Sequence, residues 1–194
     1  MRVSVPHRKE GDDARHMVFS CTWDRYVQIR TRVFILMGAL AVAYLVGVGV
    51  ALMITGIGAG VILALLGIAI SGIGLVRPAY CAPLRYVLTQ SELIVERRWH
   101  RVIIPLKDIA EVKTATYDDV FRGATGGSTA AGMFGMVGHF YGLHGPEFYA
   151  YATRKDNLVL VALKKKESHG CRFLVLSPDD QYGFIQRIEL AHSN

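Results

Sequence analysis

The stretch that decides the fold runs from Val33 to Val76: VFILMGALAVAYLVGVGVALMITGIGAGVILALLGIAISGIGLV. Its 44 residues include no Asp, Glu, Lys, Arg or His. A helix needs about 20 apolar residues to cross the hydrocarbon core of a bilayer. The stretch is therefore long enough for two crossings, and the alternate glycines of TGIGAG (residues 55–60) favour a reversal between them.

We predict a two-helix transmembrane hairpin over residues 33–76, with helices at 33–54 and 58–76. Arg77 and Pro78 end the second helix in this prediction, because proline cannot continue it. Two other interpretations fit less well. The apolar part of a signal peptide is shorter and lies nearer the start of a chain, and a buried core hairpin would leave no polar face for solvent.

Basic residues on both sides of the hairpin predict its orientation, since cytoplasmic flanks of membrane helices are rich in Lys and Arg. The turn between the helices carries no charge, so both termini are expected in the cytoplasm. The formal net charge of +6 then suits a surface beside anionic lipid. Nucleic acid is not an expected partner, because no recognition motif accompanies the charge. The flanking basic residues are Arg2, Arg8, Lys9, Arg15, Arg25, Arg30 and Arg32 before the hairpin, and Arg77, Arg85, Arg97, Arg98 and Arg101 after it.

Small residues recur every four positions in the first helix and form one stripe. Such stripes let helix backbones approach closely in lipid. The stripe predicts either packing of the two helices on each other or association with a second copy or another protein. A transport pathway is not expected, because the helices contain no ionisable side chain that marks one. The stripe consists of Ala39, Ala43, Gly47 and Ala51, with Gly60, Ala64 and Gly72 in the second helix.

Residues 77–194 read as a cytoplasmic, mainly-β domain. Seven short runs have strand character and are separated by turn residues. SPDDQYGFIQRIELA then predicts one C-terminal amphipathic helix, with Ser177 as N-cap and Pro178 in the first turn. We predict that residues 1–32 form an N-terminal cytoplasmic segment, in which residues 17–29 form a further strand that adds to, or packs on, the later sheet.

The order of these segments resembles a known family. Two membrane helices precede YVLTQSELIVER, IPLKDIAEV, GMFGMVGHFYG, YAYATRKDNLVLV and FLVLSPDD. This looks like the membrane-anchored branch of the bacterial pleckstrin-homology (PH) domain family. The resemblance implies a bent antiparallel barrel capped by a C-terminal helix, a place in the bacterial inner membrane, and no catalytic residues. The segment GATGGSTAA departs from the pattern of that family.

The glycine-rich segment GATGGSTAAGMFGMVG, residues 123–138, does not match a phosphate-binding loop. Gly127 and Gly132 have the spacing of such a loop, but Met133 and Phe134 stand where Lys and Ser or Thr are needed. The segment therefore predicts either a packed connection or an exposed interaction loop. The residues of that interaction loop would be Gly132, Met133, Phe134, Gly135, Met136 and Gly138.

RRWHR, residues 97–101, is a candidate contact with the membrane surface. A first strand of six or seven residues leaves the membrane, and the second strand must return toward it. Trp and Arg suit the boundary between lipid and water. We expect Arg97, Arg98, Trp99 and Arg101 to touch anionic head groups; an ordinary solvated turn is the alternative.

Other residues give weaker signals. Cys21, Cys81 and Cys171 form no CxxC pair, and the histidines have no metal-ligand spacing, so we predict no metal site, no cofactor and no catalytic residue. The expected function is therefore non-enzymatic: a PH-like domain at the cytoplasmic membrane surface that binds protein or lipid head groups. An accessory subunit of a larger membrane complex is the alternative, and a lipid-acting enzyme is a third.

Overall fold

The structure, a computed structural model, describes residues 16–54, 59–126, 134–142, 146–165 and 170–192. A strand, β1 (Met17–Ser20), is followed by two long helices, α1 (Arg25–Ile54) and α2 (Ala59–Cys81). The remaining strands and helices are β2 (Pro83–Leu88), β3 (Glu92–Arg97), β4 (Arg101–Pro105), β5 (Ile109–Ala115), α3 (Tyr117–Phe121), β6 (Thr125–Gly126), β7 (Met136–Tyr141), β8 (Phe148–Ala152), β9 (Leu158–Leu163), β10 (Phe173–Leu176) and α4 (Gln181–His192).

The β part, which the sequence predicts to be a PH-like domain and which keeps that name below, consists of two sheets. One sheet has the order β1-β2-β3-β4, and the other has the order β5-β9-β10-β8-β7-β6. The second sheet is not purely antiparallel as predicted, because β8 and β10 run parallel, with Val175 opposite Ala150. Strands joined by a tight hairpin turn must run antiparallel, but β8 and β10 are connected through β9 and can therefore run parallel.

The C-terminal helix α4 closes the core between the sheets. Phe184 and Ile188 are buried, and the ring of Phe184 packs against Phe19 of β1 and Tyr86 of β2. The predicted N-cap is wrong by three residues: the carboxylate of Asp180 accepts the amide of Gly183, and the helix begins at Gln181. Ser177 is instead buried directly after β10.

The helices α1 and α2 pack against each other as a helical hairpin. Two predicted boundaries differ from the structure. Helix α1 begins at Arg25 rather than 33, and the strand predicted at 17–29 ends at Ser20. The reason is Asp24, whose side chain accepts the amide of Val27 at 2.7 Å and so caps the helix two turns before the uncharged stretch begins.

Helix α2 also extends further than predicted, through Arg77 and Pro78 to Cys81. A proline in the last turn removes one helical hydrogen bond, and contacts made by Tyr80 and Cys81 with the PH-like domain hold the turn in place. By length and composition, α1 is the one candidate membrane span found among the described residues. A crossing by α2 therefore stays a prediction.

Strand β1 is part of the PH-like domain although it precedes both helices. It pairs antiparallel with β2, with Val18 opposite Val87. The domain therefore consists of a short N-terminal piece and residues 83–192, with the helical hairpin inserted between β1 and β2. The prediction that the N-terminal strand adds to the later sheet is therefore confirmed for Met17–Ser20.

Candidate functional site

The turn between β3 and β4, residues 98–100, lies against the end of α2. The ring of Trp99 packs on the ring of Tyr80, in the last turn of α2, with centroids 4.4 Å apart. The guanidinium carbon of Arg98 is 5.9 Å from the centre of the same Tyr80 ring. Strand β3 thus leads back to the end of α2, and the predicted return of this turn toward the membrane stays a prediction. Trp99 keeps 69 % of its surface exposed, so it remains available to a further contact.

The four residues predicted to touch the membrane surface differ in environment. Arg98 and Trp99 are exposed in the turn. Arg101 forms a salt bridge with Glu96 at 3.2 Å, and the carboxylate of Glu96 also binds Arg85. Arg97 turns inward, toward the ring of Tyr151. Only two of the four therefore present free cationic or aromatic surface at the turn, and their contact with lipid stays a prediction.

Residues 134–138, the second described part of the glycine-rich segment, are packed. Gly132 and Met133 lie outside the described residues. The amide of Phe134 donates to the hydroxyl of Thr31 on α1 at 3.0 Å, and its ring meets the edge of Trp23 at 5.6 Å between centroids. Gly135 is buried, and Met136 and Gly138 are buried within β7. Residues 134–138 are therefore packed against α1 and within the second sheet, and for Gly132 and Met133 both alternatives stay predictions.

The α1 part of the small-residue stripe does not lie between the two helices. Ala39, Ala43, Gly47 and Ala51 are exposed, and a side chain placed on Gly47 would meet no atom within 4 Å. Helix α1 instead meets α2 through another face, where a side chain on Gly67 would collide with Leu45. For these four α1 residues, the prediction that the stripe packs the helices on each other is therefore wrong. Leu45 provides the contact surface in its place, since the glycine opposite it leaves room.

A set of hydrogen bonds, which we call the joint, ties the start of α1 to the PH-like domain. The joint comprises Thr22, Asp24, Thr153, Arg154, Lys155 and Asp179. The carboxylate of Asp179 accepts from the amide of Thr22 at 3.0 Å, from its hydroxyl at 2.7 Å, and from Arg154 at 2.8 Å. Partial burial would raise the pKa of Asp179, but these bonds, together with one from Ser20, outweigh burial and lower the pKa.

The other half of the joint holds α1 itself. One carboxylate oxygen of Asp24 caps α1, and the second accepts the amide of Lys155 at 2.7 Å. The ammonium of Lys155 lies 3.4 Å from the centre of the Tyr26 ring and 4.5 Å from that of Tyr117. Val27 is fully buried, so the first turns of α1 pack on the domain. Helix α1 is thereby fixed at two points, its cap and its first turn.

Buried hydroxyl groups continue the joint into the core. The hydroxyl of Tyr86 donates to the carbonyl of Tyr151 at 2.5 Å and accepts the amide of Ser177 at 3.1 Å. Burial raises the pKa of Tyr86 far above its ordinary value, so the hydroxyl stays protonated. Thr153 donates its hydroxyl to the carbonyl of Thr22 at 3.0 Å. The segment before α1 is therefore bonded to both sheets.

Sequence reasoning missed this joint although its residues lie in two quoted motifs. Arg154 and Lys155 belong to YATRKDN, and Asp179 belongs to LSPDD. The signal was the polarity of two short segments that directly follow apolar strands. The partners, Thr22 and Asp24, are more than 100 residues away in sequence, and no local pattern links them.

Chemically, the arrangement can hold and orient a domain. The joint and the turn at residues 98–100 lie at the two connections of the helical hairpin, one before α1 and one after α2. Among the described residues, no group of three His, Cys, Asp or Glu side chains could hold a metal ion. The buried thiol of Cys21 donates to the carbonyl of Pro83, and burial, with the charge of Asp179, raises its pKa to about 12.

Two sheets closed by a C-terminal helix, with core residues from both, define a PH-like domain. The model of the family described as "Bacterial PH domain" matches residues 84–191, more than half of the chain. The chain belongs to the bacterial PH domain family. A search of curated proteins found no match, and a search of solved structures found none either. The matched region excludes β1 and both long helices, so the joint connects the family domain to segments outside the family model.

Proposed function

We propose that the chain is a non-enzymatic integral protein of the bacterial inner membrane. In this proposal α1 and α2 cross the membrane as a hairpin, both termini are cytoplasmic, and the PH-like domain is held at the cytoplasmic surface to bind lipid head groups or protein. This is the membrane-anchored branch that the segment order resembles. The single observation that carries the proposal is the packing of Trp99 on Tyr80, which puts an aromatic and basic turn at the end of an apolar helix.

The arrangement of the two connections supports a fixed domain rather than a tethered one. Only Ala82 separates α2 from β2, and the joint holds the start of α1. A domain attached at both ends in this way keeps one face toward the bilayer. A contact with head groups then costs little orientational entropy, because the orientation is set before binding.

The test compares the full chain in nanodiscs of phosphatidylcholine with nanodiscs that also contain phosphatidylglycerol. We expect anionic lipid to slow amide hydrogen exchange at residues 98–101 several-fold. The variant Arg98→Gln/Trp99→Ala should lose most of this protection. Hydrogen exchange measured by mass spectrometry reports the effect peptide by peptide.

Lys164 and Lys165 provide the matched control. Lys164 lines a cavity together with Gln90 and Ser91, at the end of β2 remote from the hairpin. The variant Lys164→Gln/Lys165→Gln removes charge as well, and it should leave the protection at residues 98–101 unchanged. Equal exchange in both lipid compositions for the unmodified chain would contradict the head-group contact.

The accessory-subunit alternative is favoured by one observation, the exposed stripe Ala39, Ala43, Gly47 and Ala51. If a second membrane protein or a second copy packs there, Gly47→Leu should remove that partner from crosslinked native membranes. It should leave the hairpin intact, because the space beside Gly47 is open. Gly67→Leu is the comparison, since it disturbs the contact between α1 and α2. An unchanged crosslinking pattern with Gly47→Leu would exclude the stripe as a contact surface.

A further inference from the structure

Arg97 lies at a position of β3 where the alternation of side chains predicts a core residue. Side chains two apart on a strand share a face, and Leu93 and Val95 of β3 are both fully buried. Arg97 is the next residue on that inner face and is half-buried. Its partner in the neighbouring strand is Pro83, the first residue of β2 after the helical hairpin. The guanidinium therefore lies inside the end of the domain that adjoins α2.

The positive charge of Arg97 has no carboxylate partner among the described residues. Its Nε–H group is enclosed and forms no hydrogen bond there. The guanidinium carbon lies 5.2 Å from the centre of the Tyr151 ring, a cation–π contact that offsets part of the cost of burial. The other arginines nearby differ: Arg85 and Arg101 share the carboxylate of Glu96. Burying a cation whose N–H group forms no hydrogen bond costs free energy, and a bound anion would offset that cost.

The rings of Tyr149 and Tyr151 line the position of Arg97, and we call this pair the floor. The rings of Tyr149 and Tyr151 are 4.6 Å apart. Burial raises the pKa of Tyr149, and the positive charge of Arg97 acts against that rise. The floor is thus neutral and polar, without a carboxylate that would repel an anion. Trp99 follows Arg97 by two residues, in the turn after β3, and its ring packs on Tyr80 at the end of α2.

We propose that Arg97 binds the phosphate group of an anionic membrane lipid, on the floor formed by Tyr149 and Tyr151. The planar guanidinium presents a fork of donors that matches phosphate oxygens. A lipid is the favoured source of the phosphate because the position adjoins the end of α2. This inference rests on the proposed membrane location of the hairpin. It assigns the specific contact to Arg97 and leaves Arg98 and Trp99 as general surface contacts.

The test is native mass spectrometry of the full chain in detergent micelles with added phosphatidylglycerol. We expect one lipid to bind the unmodified protein and Arg97→Gln to weaken binding at least tenfold. Arg97→Lys should lie in between, because a point charge replaces a bidentate fork. The matched control Lys164→Gln/Lys165→Gln removes positive charge at the remote end of the domain and should stay within about twofold of the unmodified protein. Equal binding by Arg97→Gln and the unmodified chain would overturn the proposal.

Three further measurements separate the remaining outcomes. Inorganic phosphate and glycerol phosphate, added without lipid, should bind at least tenfold more weakly; equal binding would make the site one for soluble phosphate and overturn the lipid assignment.

In lipid-free micelles Arg97→Met should melt at or above the temperature of the unmodified protein, because it removes an unpaired charge. A lower melting temperature together with unchanged lipid binding would mean a structural role only. If Arg97→Gln did not weaken lipid binding while anionic lipid still slowed hydrogen exchange at residues 98–101, this inference would be contradicted. The proposed function would remain supported.

Discussion

Replacing Asp179 with alanine is expected to lower the free energy of local unfolding at β1 by about 2–3 kcal/mol, the size typical for removing charge-assisted hydrogen bonds from a partly buried group. Asp179 is the acceptor for both Thr22 groups and for Arg154. Without it, the amide of Thr22 and the guanidinium of Arg154 lose their shared partner. Hydrogen exchange of the amides of Met17–Ser20, measured in the full chain, reports this opening.

Asp118 provides the matched control for Asp179. It is an exposed aspartate in α3. Asp118→Ala should change exchange at β1 by less than about 0.5 kcal/mol, as surface substitutions do. Equal effects of the two substitutions would show that Asp179 does not hold the joint together.

The stabilisation by Asp179 should depend on pH in one direction. Its pKa is lowered in the folded chain, so the unfolded chain takes up a proton first as the pH falls. The contribution is therefore fully present above the ordinary aspartate pKa and is lost as the pH falls through the lowered value. Asp179→Asn should remove this acid dependence at β1. An unchanged acid profile in that variant would assign the dependence to another group.

Gly135→Ala is expected to destabilise the PH-like domain by about 3–5 kcal/mol, from two costs that add. The backbone at Gly135 has φ of 119°, in a region that other residues rarely adopt. An added Cβ would also lie 2.5 Å from the carbonyl oxygen of Ala152 in β8. The carbonyl belongs to a central strand and cannot move without disturbing the sheet. Chemical denaturation of the full chain in micelles, followed by tryptophan fluorescence, measures the loss.

Gly170→Ala isolates the first of these costs. Gly170 also has positive φ, 80°, but a Cβ there would meet nothing within 4 Å. Its replacement should cost only about 1–2 kcal/mol. If Gly135→Ala and Gly170→Ala were equally mild, the close approach of β7 and β8 at Gly135 would be incorrect.

The sequence predicted the mainly-β domain and its final helix because both follow local periodicity. Alternation in β3, with Leu93 and Val95 inward, and the apolar face of α4, with Phe184 and Ile188, are visible in short windows. Strand β7 was missed, since three glycines at 132, 135 and 138 resemble a loop. In the structure Gly138 has φ of 125° and lies opposite Ala150, so the glycine accommodates the sheet rather than ending it.

The candidate sites also differ in whether a local sequence pattern predicts them. Strand lengths, which are local, predicted that the turn carrying Trp99 leads back toward the membrane helices, and in the structure Trp99 packs on Tyr80 at the end of α2. The joint could not be predicted from local sequence, because Thr22 and Asp179 are separated by 157 positions and no periodicity relates them. The small-residue stripe failed for a different reason: spacing identifies a face of a helix, but it does not say which neighbour covers that face. Arg97 was grouped with its sequence neighbours, although the alternation of β3 already placed it on the inner face.

The central claim is that the PH-like domain lies against a membrane through the end of the hairpin that carries Trp99. The most direct measurement is the quenching of Trp99 fluorescence by lipids brominated at different depths, in a full-length Trp23→Phe variant in nanodiscs. We expect strong quenching by bromine placed near the head groups and weak quenching by bromine near the bilayer centre. Trp99 fluorescence that no brominated lipid quenches, in a chain that fractionates with the nanodiscs, would contradict the claim.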